Sequence, residues 1–178
     1  MKPSSLIILF LFFVSAKTIS AARQPQWKGA VLSETIKGRT ADEVWPLFQD
    51  FCNLYEIFPI DVSFCTLPLS DPLIRFLATK VPSRTGDNST IVSWEKHQVL
   101  EMNSKKRFLR YKMMENNQGI KTYLPTVSVL EKKDGIQIKW DFVMDPVVGV
   151  TIEDVRNNLK LILASAVVNI EKVLSKST

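Results

Sequence analysis

Apolar residues near the C-terminus recur at intervals of three and four, the period of one face of a helix. They run from Ile152 to Val173, and Thr151 precedes them as a candidate cap. Glu153 and Asp154 fall in the first turn, where the helix dipole favours negative charge. So wide an apolar stripe needs a large partner, and we expect that partner to be one face of a sheet.

The middle of the chain has the pattern of strands that are separated by turns. We predict six strands here, at residues 62–69, 73–81, 91–102, 107–114, 120–130 and 136–143. In the last of these, Ile136, Ile138, Trp140 and Phe142 alternate with polar residues, as expected for a half-buried strand. The connections are short and rich in turn residues, so successive strands should pair antiparallel.

The segment before these strands predicts one more strand and two short helices. Residues 27–36 are rich in β-forming residues. Thr40 and Glu43 have the spacing of a capping box, and Pro46 should kink or shorten the helix that follows. A second short turn is expected at 53–58. The predicted fold is therefore α+β, a curved seven-stranded antiparallel sheet around a long C-terminal helix, with two short helices after strand 1.

The first residues have the pattern of a secretory signal peptide. Lys2 precedes an apolar run at 6–14, and small residues follow up to Ala22. The run is shorter than the about 20 residues that a transmembrane helix needs, although an uncleaved anchor is the alternative. We predict a signal peptide at 1–22 and one domain at 23–178. The protein would then be secreted, either extracellular or in the endomembrane lumen.

Composition and charge fit an exported globular domain. Of the 178 residues, 46% are hydrophobic and 23% charged, and loss of residues 1–22 would lower the net charge from +5 to +3. That charge is too small to indicate nucleic-acid binding. We expect a monomer with no stable membrane insertion after cleavage. Asn88 begins a glycosylation sequon, and Cys52 and Cys65 could form a disulfide bond or remain two buried thiols.

Five stretches resemble a known superfamily in sequence and spacing. They are Gln26–Gly29, Asp50–Leu54, Trp94–Lys96, Gly119–Tyr123 and Trp140–Phe142. Together with the order of elements they resemble the helix-grip fold of the Bet v 1/START-like superfamily, which includes polyketide cyclase and lipid-transport proteins. The branch that they resemble most is that of the plant lachrymatory-factor synthase-like proteins.

The resemblance implies an internal cavity for a small, mainly apolar metabolite. In the synthase branch an arginine, a glutamate and a tyrosine act in the cavity, and Arg75 and Tyr123 match the arginine and the tyrosine. His97 stands where the branch has its acid, and Glu95 lies two residues earlier on the same strand face. The residues expected to contact the ligand are Arg75, Tyr111, Tyr123, Trp140, Phe142, Leu159, Leu163 and Val167.

The residues alone leave the role of this polar group open. Arg75, Glu95 and His97 could face the core, or they could form an ion pair on the solvent face, since Val92 and Trp94 on the opposite face suit a core. A solid core is likewise an alternative to a cavity. With a single histidine and no phosphate-binding glycine loop, we expect no metal site and no cofactor.

Three functions follow from these alternatives. The first is an exported protein that binds a small hydrophobic ligand. The second is a cofactor-independent isomerase or cyclase like the lachrymatory-factor synthases, in which Arg75, Glu95, His97 and Tyr123 would be catalytic. The third is a defence-related extracellular protein whose ligand is secondary to a protein partner.

Overall fold

The computed structural model describes residues 25–58, 62–64, 74–82 and 89–176. Two helices, a short 3-10 turn and eight strand segments follow one another in the predicted order. The N-terminal half contains β1 (Trp27–Leu32), β2 (Ile36–Lys37), α1 (Ala41–Gln49), the 3-10 turn (Leu54–Glu56), β3 (Val62–Phe64) and β4 (Ile74–Pro82). The C-terminal half contains β5 (Thr90–Asn103), β6 (Phe108–Asn116), β7 (Tyr123–Lys132), β8 (Gly135–Met144) and α2 (Ile152–Lys176).

The strands form one antiparallel sheet in the order β1-β8-β7-β6-β5-β4-β3, with β2 also paired to β8. The curved sheet and its long C-terminal helix confirm the predicted helix-grip architecture. The first strand is divided where one strand was predicted, so that β1 and β2 occupy the same edge of β8. Ser33 lies at the break, where its hydroxyl oxygen accepts a hydrogen bond from the Ile138 amide at 2.9 Å.

The helix α1 begins at the predicted capping box. Thr40 donates its amide to the Glu43 carboxylate at 2.7 Å, and the Glu43 amide donates to the Thr40 hydroxyl at 3.3 Å. Pro46 lies inside this helix, which ends three residues later at Gln49. Val44 and Phe48 are fully buried, so α1 closes one end of the core.

The helix α2 is held at its start by a second reciprocal cap. The Asp154 carboxylate accepts the Thr151 amide at 2.8 Å, and the Asp154 amide donates to the Thr151 hydroxyl at 3.1 Å. Its buried positions follow the helical period and pack on the inner face of the sheet; they are Leu159, Leu163, Ala166 and Ile170. No helix among the described residues has the length and apolarity to cross a membrane.

The pairing between β6 and β7 is shorter than either strand. In this fully described hairpin, the ladder contains three pairs and ends at Arg110–Thr126. The Val129 amide donates to the Arg107 carbonyl oxygen, so by strand alternation the amide position of residue 125 also faces β6. Pro125 has no N–H to donate there. We attribute the end of the ladder to this proline.

Beyond that point β6 stays with β5. The Asn117 side chain accepts the Trp94 amide at 2.9 Å and donates to the Val92 carbonyl at 2.7 Å. The loop after β6 is held by Asn116, which accepts the Gln118 and Ile120 amides. The strands β6 and β7 therefore separate towards the end of the sheet at which the candidate site lies.

Candidate functional site

A pocket of about 460 Å³ lies between the inner face of the sheet and the N-terminal half of α2. Gln118 and Asn158, at its rim, are exposed, so the pocket is partly open to solvent. Its apolar walls come from three strands (β4, β6 and β8), the loop between β6 and β7, α2 and the segment after α1. The apolar lining residues are Phe58, Leu77, Met113, Ile120, Trp140, Met144, Val155, Leu159 and Ile162.

Five polar residues of the pocket come from the two neighbouring strands β4 and β5. The register of β4 and β5 places Arg75 opposite His97, Leu77 opposite Glu95 and Thr79 opposite Ser93. Since alternate residues of a strand share a face, all six residues point into the pocket together. The alternative of a solvent-facing ion pair is therefore wrong.

The residues on the opposite face of these strands lie outside the core. Val92 is 52% exposed, and Trp94 stacks on Phe76 with ring centroids 5.7 Å apart. The mutual cover of these two rings explains how an apolar face can lie outward. Val92 and Trp94 suggested a core when only the sequence was considered, because both side chains are apolar.

Arg75 is a buried cation at the inner end of the pocket. Its guanidinium Nη1 donates to the Phe51 carbonyl oxygen at 2.9 Å, and its Cζ lies 4.2 Å from the centroid of the Phe51 ring. Burial lowers the pKa of Arg75 to about 10, while the nearby Tyr111 and Glu95 act in the opposite direction. The guanidinium thus stays protonated at neutral pH. Its Nε is buried without a hydrogen-bond partner among the described residues.

Glu95 and His97 are in contact beside this cation. The His97 Nε2 lies 3.3 Å from the Glu95 Oε2, and the His97 ring packs on Tyr111 at 4.9 Å between centroids. Burial raises the pKa of Glu95, but the contact with His97 and the charge of Arg75 outweigh it, and the net pKa is lowered. Glu95 is therefore an anion between two nitrogen-bearing side chains at neutral pH.

Two tyrosines complete the polar lining. Burial raises the pKa of both Tyr111 and Tyr123, so both hydroxyls stay neutral. The Trp140 indole Nε1 donates to the Tyr123 hydroxyl oxygen at 3.1 Å. This hydrogen bond fixes the orientation of Tyr123 at the pocket wall.

Three residues predicted as ligand contacts do not line this pocket. Phe142 packs over Gly29, where an added Cβ would lie 2.6 Å from its ring, and Leu163 is fully buried in the core. Val167 packs against the core one turn further along α2. The prediction placed the floor of the cavity at Leu159, Leu163 and Val167, and of these three only Leu159, in the first half of α2, borders the pocket.

The sequence prediction missed Thr79 and Ser93, although simple alternation from Arg75 and His97 would have found both. Met113, Ile120 and Val155 gave no such signal, because their place depends on how β6, the β6–β7 loop and α2 meet.

Three predicted features involve residues outside the described ranges. They are the signal peptide at 1–22, the sequon at Asn88 and the Cys65 thiol. Cys52 is disulfide-bonded, and its pairing with Cys65 stays a prediction. Across the described ranges, His, Cys, Asp and Glu form no group of three or more that could bind a metal ion.

Comparison with known families identifies the chain. The model of the polyketide cyclase/dehydrase and lipid transport family matches residues 30–175. The chain belongs to this family. The match spans both helices and most of the sheet, so it includes every described element that lines the pocket. A search of curated proteins finds no significant match.

Solved structures share the fold of this family member at low sequence identity. XoxI from Bacillus cereus is 20% identical, with a TM-score of 0.59 over 84% of this chain and 95% of that one. A START superfamily protein from Mycobacterium smegmatis is 12% identical, with a TM-score of 0.58 over 86% and 99% of the two chains. The ginseng major latex-like protein 151 from Panax ginseng is 13% identical, with a TM-score of 0.59 over 83% and 96%.

Proposed function

We propose that this protein is an exported carrier that binds a small, mainly apolar molecule in the pocket between the sheet and α2. The observation that carries the proposal is the pocket itself, in which apolar walls surround one buried cation, Arg75. Apolar walls with a few placed polar groups are typical of small-molecule sites. The walls would bind the body of the ligand, and Arg75 would orient its polar end.

The pocket volume limits the size of the ligand. At about 30 Å³ for each water-sized group, the 460 Å³ pocket would hold about 15 non-hydrogen atoms. Because the rim at Gln118 and Asn158 is open, a longer molecule could extend into solvent. The part of the ligand that lies inside the pocket is therefore smaller than a membrane phospholipid.

Two observations support export. The N-terminal segment has the charge, apolar run and small residues of a signal peptide. Cys52 is disulfide-bonded, and disulfide bonds persist mainly in oxidising compartments. The N-terminal sequence of protein recovered from culture medium tests this part, since a terminus near Arg23 is expected and an intact Met1 would contradict it.

Ligand binding can be tested by filling the pocket. Leu159 lines the pocket, whereas Leu161 on the same helix is 72% exposed. We expect N-phenyl-1-naphthylamine, an uncharged fluorescent probe, to bind the wild-type protein. Leu159→Trp should weaken binding at least about tenfold by occupying the pocket, a loss of about 1.4 kcal/mol. Leu161→Trp is the matched control and should bind as the wild type does. Equal binding by both variants would place the probe elsewhere.

A second candidate function is a cofactor-independent isomerase or cyclase of the lachrymatory-factor synthase type. The observation that favours it is the contact of Glu95 with His97 beside Arg75, since such a pair could move a proton while the cation stabilises a developing anion. Turnover in D₂O tests it, with a small molecule that is extracted from the purified protein as substrate. An enzyme should incorporate deuterium at a carbon of that molecule, and His97→Gln should abolish the incorporation. If no deuterium is incorporated, the isomerase function is contradicted and the carrier function remains.

A further inference from the structure

Two buried side chains at the inner end of the pocket have nitrogen atoms without hydrogen-bond partners. Among them are the Nε of Arg75 and the Nδ1 of His97, while His97 Nε2 has only its 3.3 Å contact with the Glu95 carboxylate; each residue is only 2% exposed. Nearly all buried polar groups in folded proteins are paired. The partners of these two nitrogens are therefore to be sought in a molecule that enters the pocket.

The two nitrogens belong to residues that are direct neighbours across the sheet. Arg75 and His97 are paired in the register of β4 and β5, and both line the pocket. One further nitrogen of each side chain already has a polar contact within the protein. Arg75 Nη1 donates to the Phe51 carbonyl oxygen, and His97 Nε2 contacts the Glu95 carboxylate.

We propose that Arg75 and His97 form a carboxylate-binding site and that the ligand of the pocket is an apolar monocarboxylic acid. This inference rests on the proposed ligand-binding function. One carboxylate oxygen accepts from Arg75 Nε and the other from His97 Nδ1. Two adjacent donors match the two oxygens of a carboxylate.

The charges around the site imply that the ligand brings a proton with it. The groups that face His97 are Arg75 from β4, Glu95 from its own strand β5, Tyr111 from β6 and Tyr123 from β7. The α2 residues at the pocket are uncharged: Val155, Asn158, Leu159 and Ile162. With a neutral imidazole, Arg75 and Glu95 balance each other, and a bound carboxylate adds one uncompensated negative charge.

A proton on His97 restores that balance. The protonated imidazole would then lie between two carboxylates, with Nε2 towards Glu95 and Nδ1 towards the ligand. Both tyrosines are already neutral, so the imidazole of His97 is the group at the site that can accept the proton. Binding of the acid therefore takes up close to one proton, and it tightens as the pH is lowered.

Three probes of equal chain length separate the carboxylate site from apolar binding alone. Decanoate, 1-decanol and decylamine are titrated into the full chain by isothermal calorimetry. We expect decanoate to bind at least tenfold more tightly than decanol, and decylamine to bind most weakly because Arg75 repels it. Repeating the decanoate titration in buffers of different ionisation enthalpy measures the proton uptake, for which we expect close to one proton per ligand.

Variants assign the effect to the two residues. His97→Gln keeps a hydrogen-bond donor but cannot take up a proton, so it should lose the proton uptake and most of the preference for decanoate. Arg75→Gln should also lose the preference, whereas Arg110→Gln, on the exposed face of β6, should keep it. Unchanged decanol binding in each variant shows that the pocket is still folded.

The possible outcomes are distinct. Equal binding of decanoate and decanol overturns the carboxylate site and leaves the proposed carrier in place. Tight decanoate binding without proton uptake, or with uptake that persists in His97→Gln, overturns the role of His97. No binding of any probe overturns the proposed function itself, and the carboxylate site with it.

Discussion

At the scale of single residues, Glu95 is the group on which burial and neighbouring charge act in opposite directions. Its side chain is 26% exposed, and it contacts His97 while Arg75 lies nearby. The lowered pKa means that the folded protein favours the charged carboxylate more than the unfolded chain does. Ionised Glu95 therefore stabilises the fold at neutral pH.

The acid stability of the protein should depend on this residue. Because the folded pKa of Glu95 lies below its ordinary value, its contribution is present above about pH 4.5 and is lost as the pH falls through the folded pKa. Urea unfolding from about pH 6 to about pH 3 should show a smaller loss of stability in Glu95→Gln than in the wild type. Glu101→Gln, exposed on the same strand, is the control and should follow the wild type. Identical pH slopes for Glu95→Gln and the wild type would contradict the assignment.

Sequence alone could place Glu95 and His97 on one strand face, since a strand alternates with period two. It could not decide which face was buried, because the deciding contacts come from elsewhere in the chain. Arg75 is stabilised inside by the Phe51 carbonyl and ring, 24 residues away. The Phe76–Trp94 stack on the outer face could not be predicted from the sequence either, because it joins two neighbouring strands of the sheet.

At the scale of elements, α2 has two halves with different roles. Its first half borders the pocket through Val155, Leu159 and Ile162. Its second half packs directly on the core through Ala166 and Ile170, neither of which is exposed. The helical period predicted the buried stripe correctly, but it could not show where along the stripe the packing becomes solid.

The helix should therefore respond very differently to truncation at two neighbouring leucines. Leu163 is fully buried at the junction of the two halves, and Leu161 is 72% exposed. Leu163→Ala should lower the free energy of unfolding by about 2–5 kcal/mol, because it leaves a cavity. Leu161→Ala should change it by less than about 0.5 kcal/mol. Chemical denaturation of both variants measures the difference, and equal losses would show that α2 packs in another way.

The order of strands and helices was also predicted at this scale, and the break in the first strand was not. The break depends on Ser33, whose hydroxyl oxygen accepts the Ile138 amide 105 positions along the chain. Such a partner cannot be identified from residues 27–37 alone. The predicted capping box at Thr40 and the predicted cap at Thr151, in contrast, involve partners three residues apart, so local spacing was sufficient to indicate a cap at each.

At the scale of the whole molecule, the sheet and α2 form a shell that is closed at one end and open at the other. The α1 end is filled by Val44, Phe48 and Phe51, all buried. The opposite end has the rim residues Gln118 and Asn158. Composition predicted enough apolar surface for one core, but the division of that surface between packed core and pocket wall emerges only from the assembled elements.

The β6–β7 ladder ends early, so these two strands share few hydrogen bonds beside the opening of the shell. Pro125 deprives β6 of a donor, and the strands are unpaired from Tyr111 onwards. Pro125→Val should restore the donor and lengthen the ladder. We expect the Tyr111 and Met113 amides, which alternation directs towards β7, to exchange hydrogen more slowly in the variant. Exchange measured by NMR at these two sites gives the result, and unchanged rates would show that another residue holds the strands apart.

The gap between β6 and β7 should also control how long a ligand stays bound. If the shell opens at β6 and β7 to release its cargo, the residence time of a bound molecule depends on how often this pair of strands parts. Affinity depends instead on the walls, which Pro125 does not line. A single missing amide would then speed both binding and release without weakening affinity, which suits the proposed carrier function.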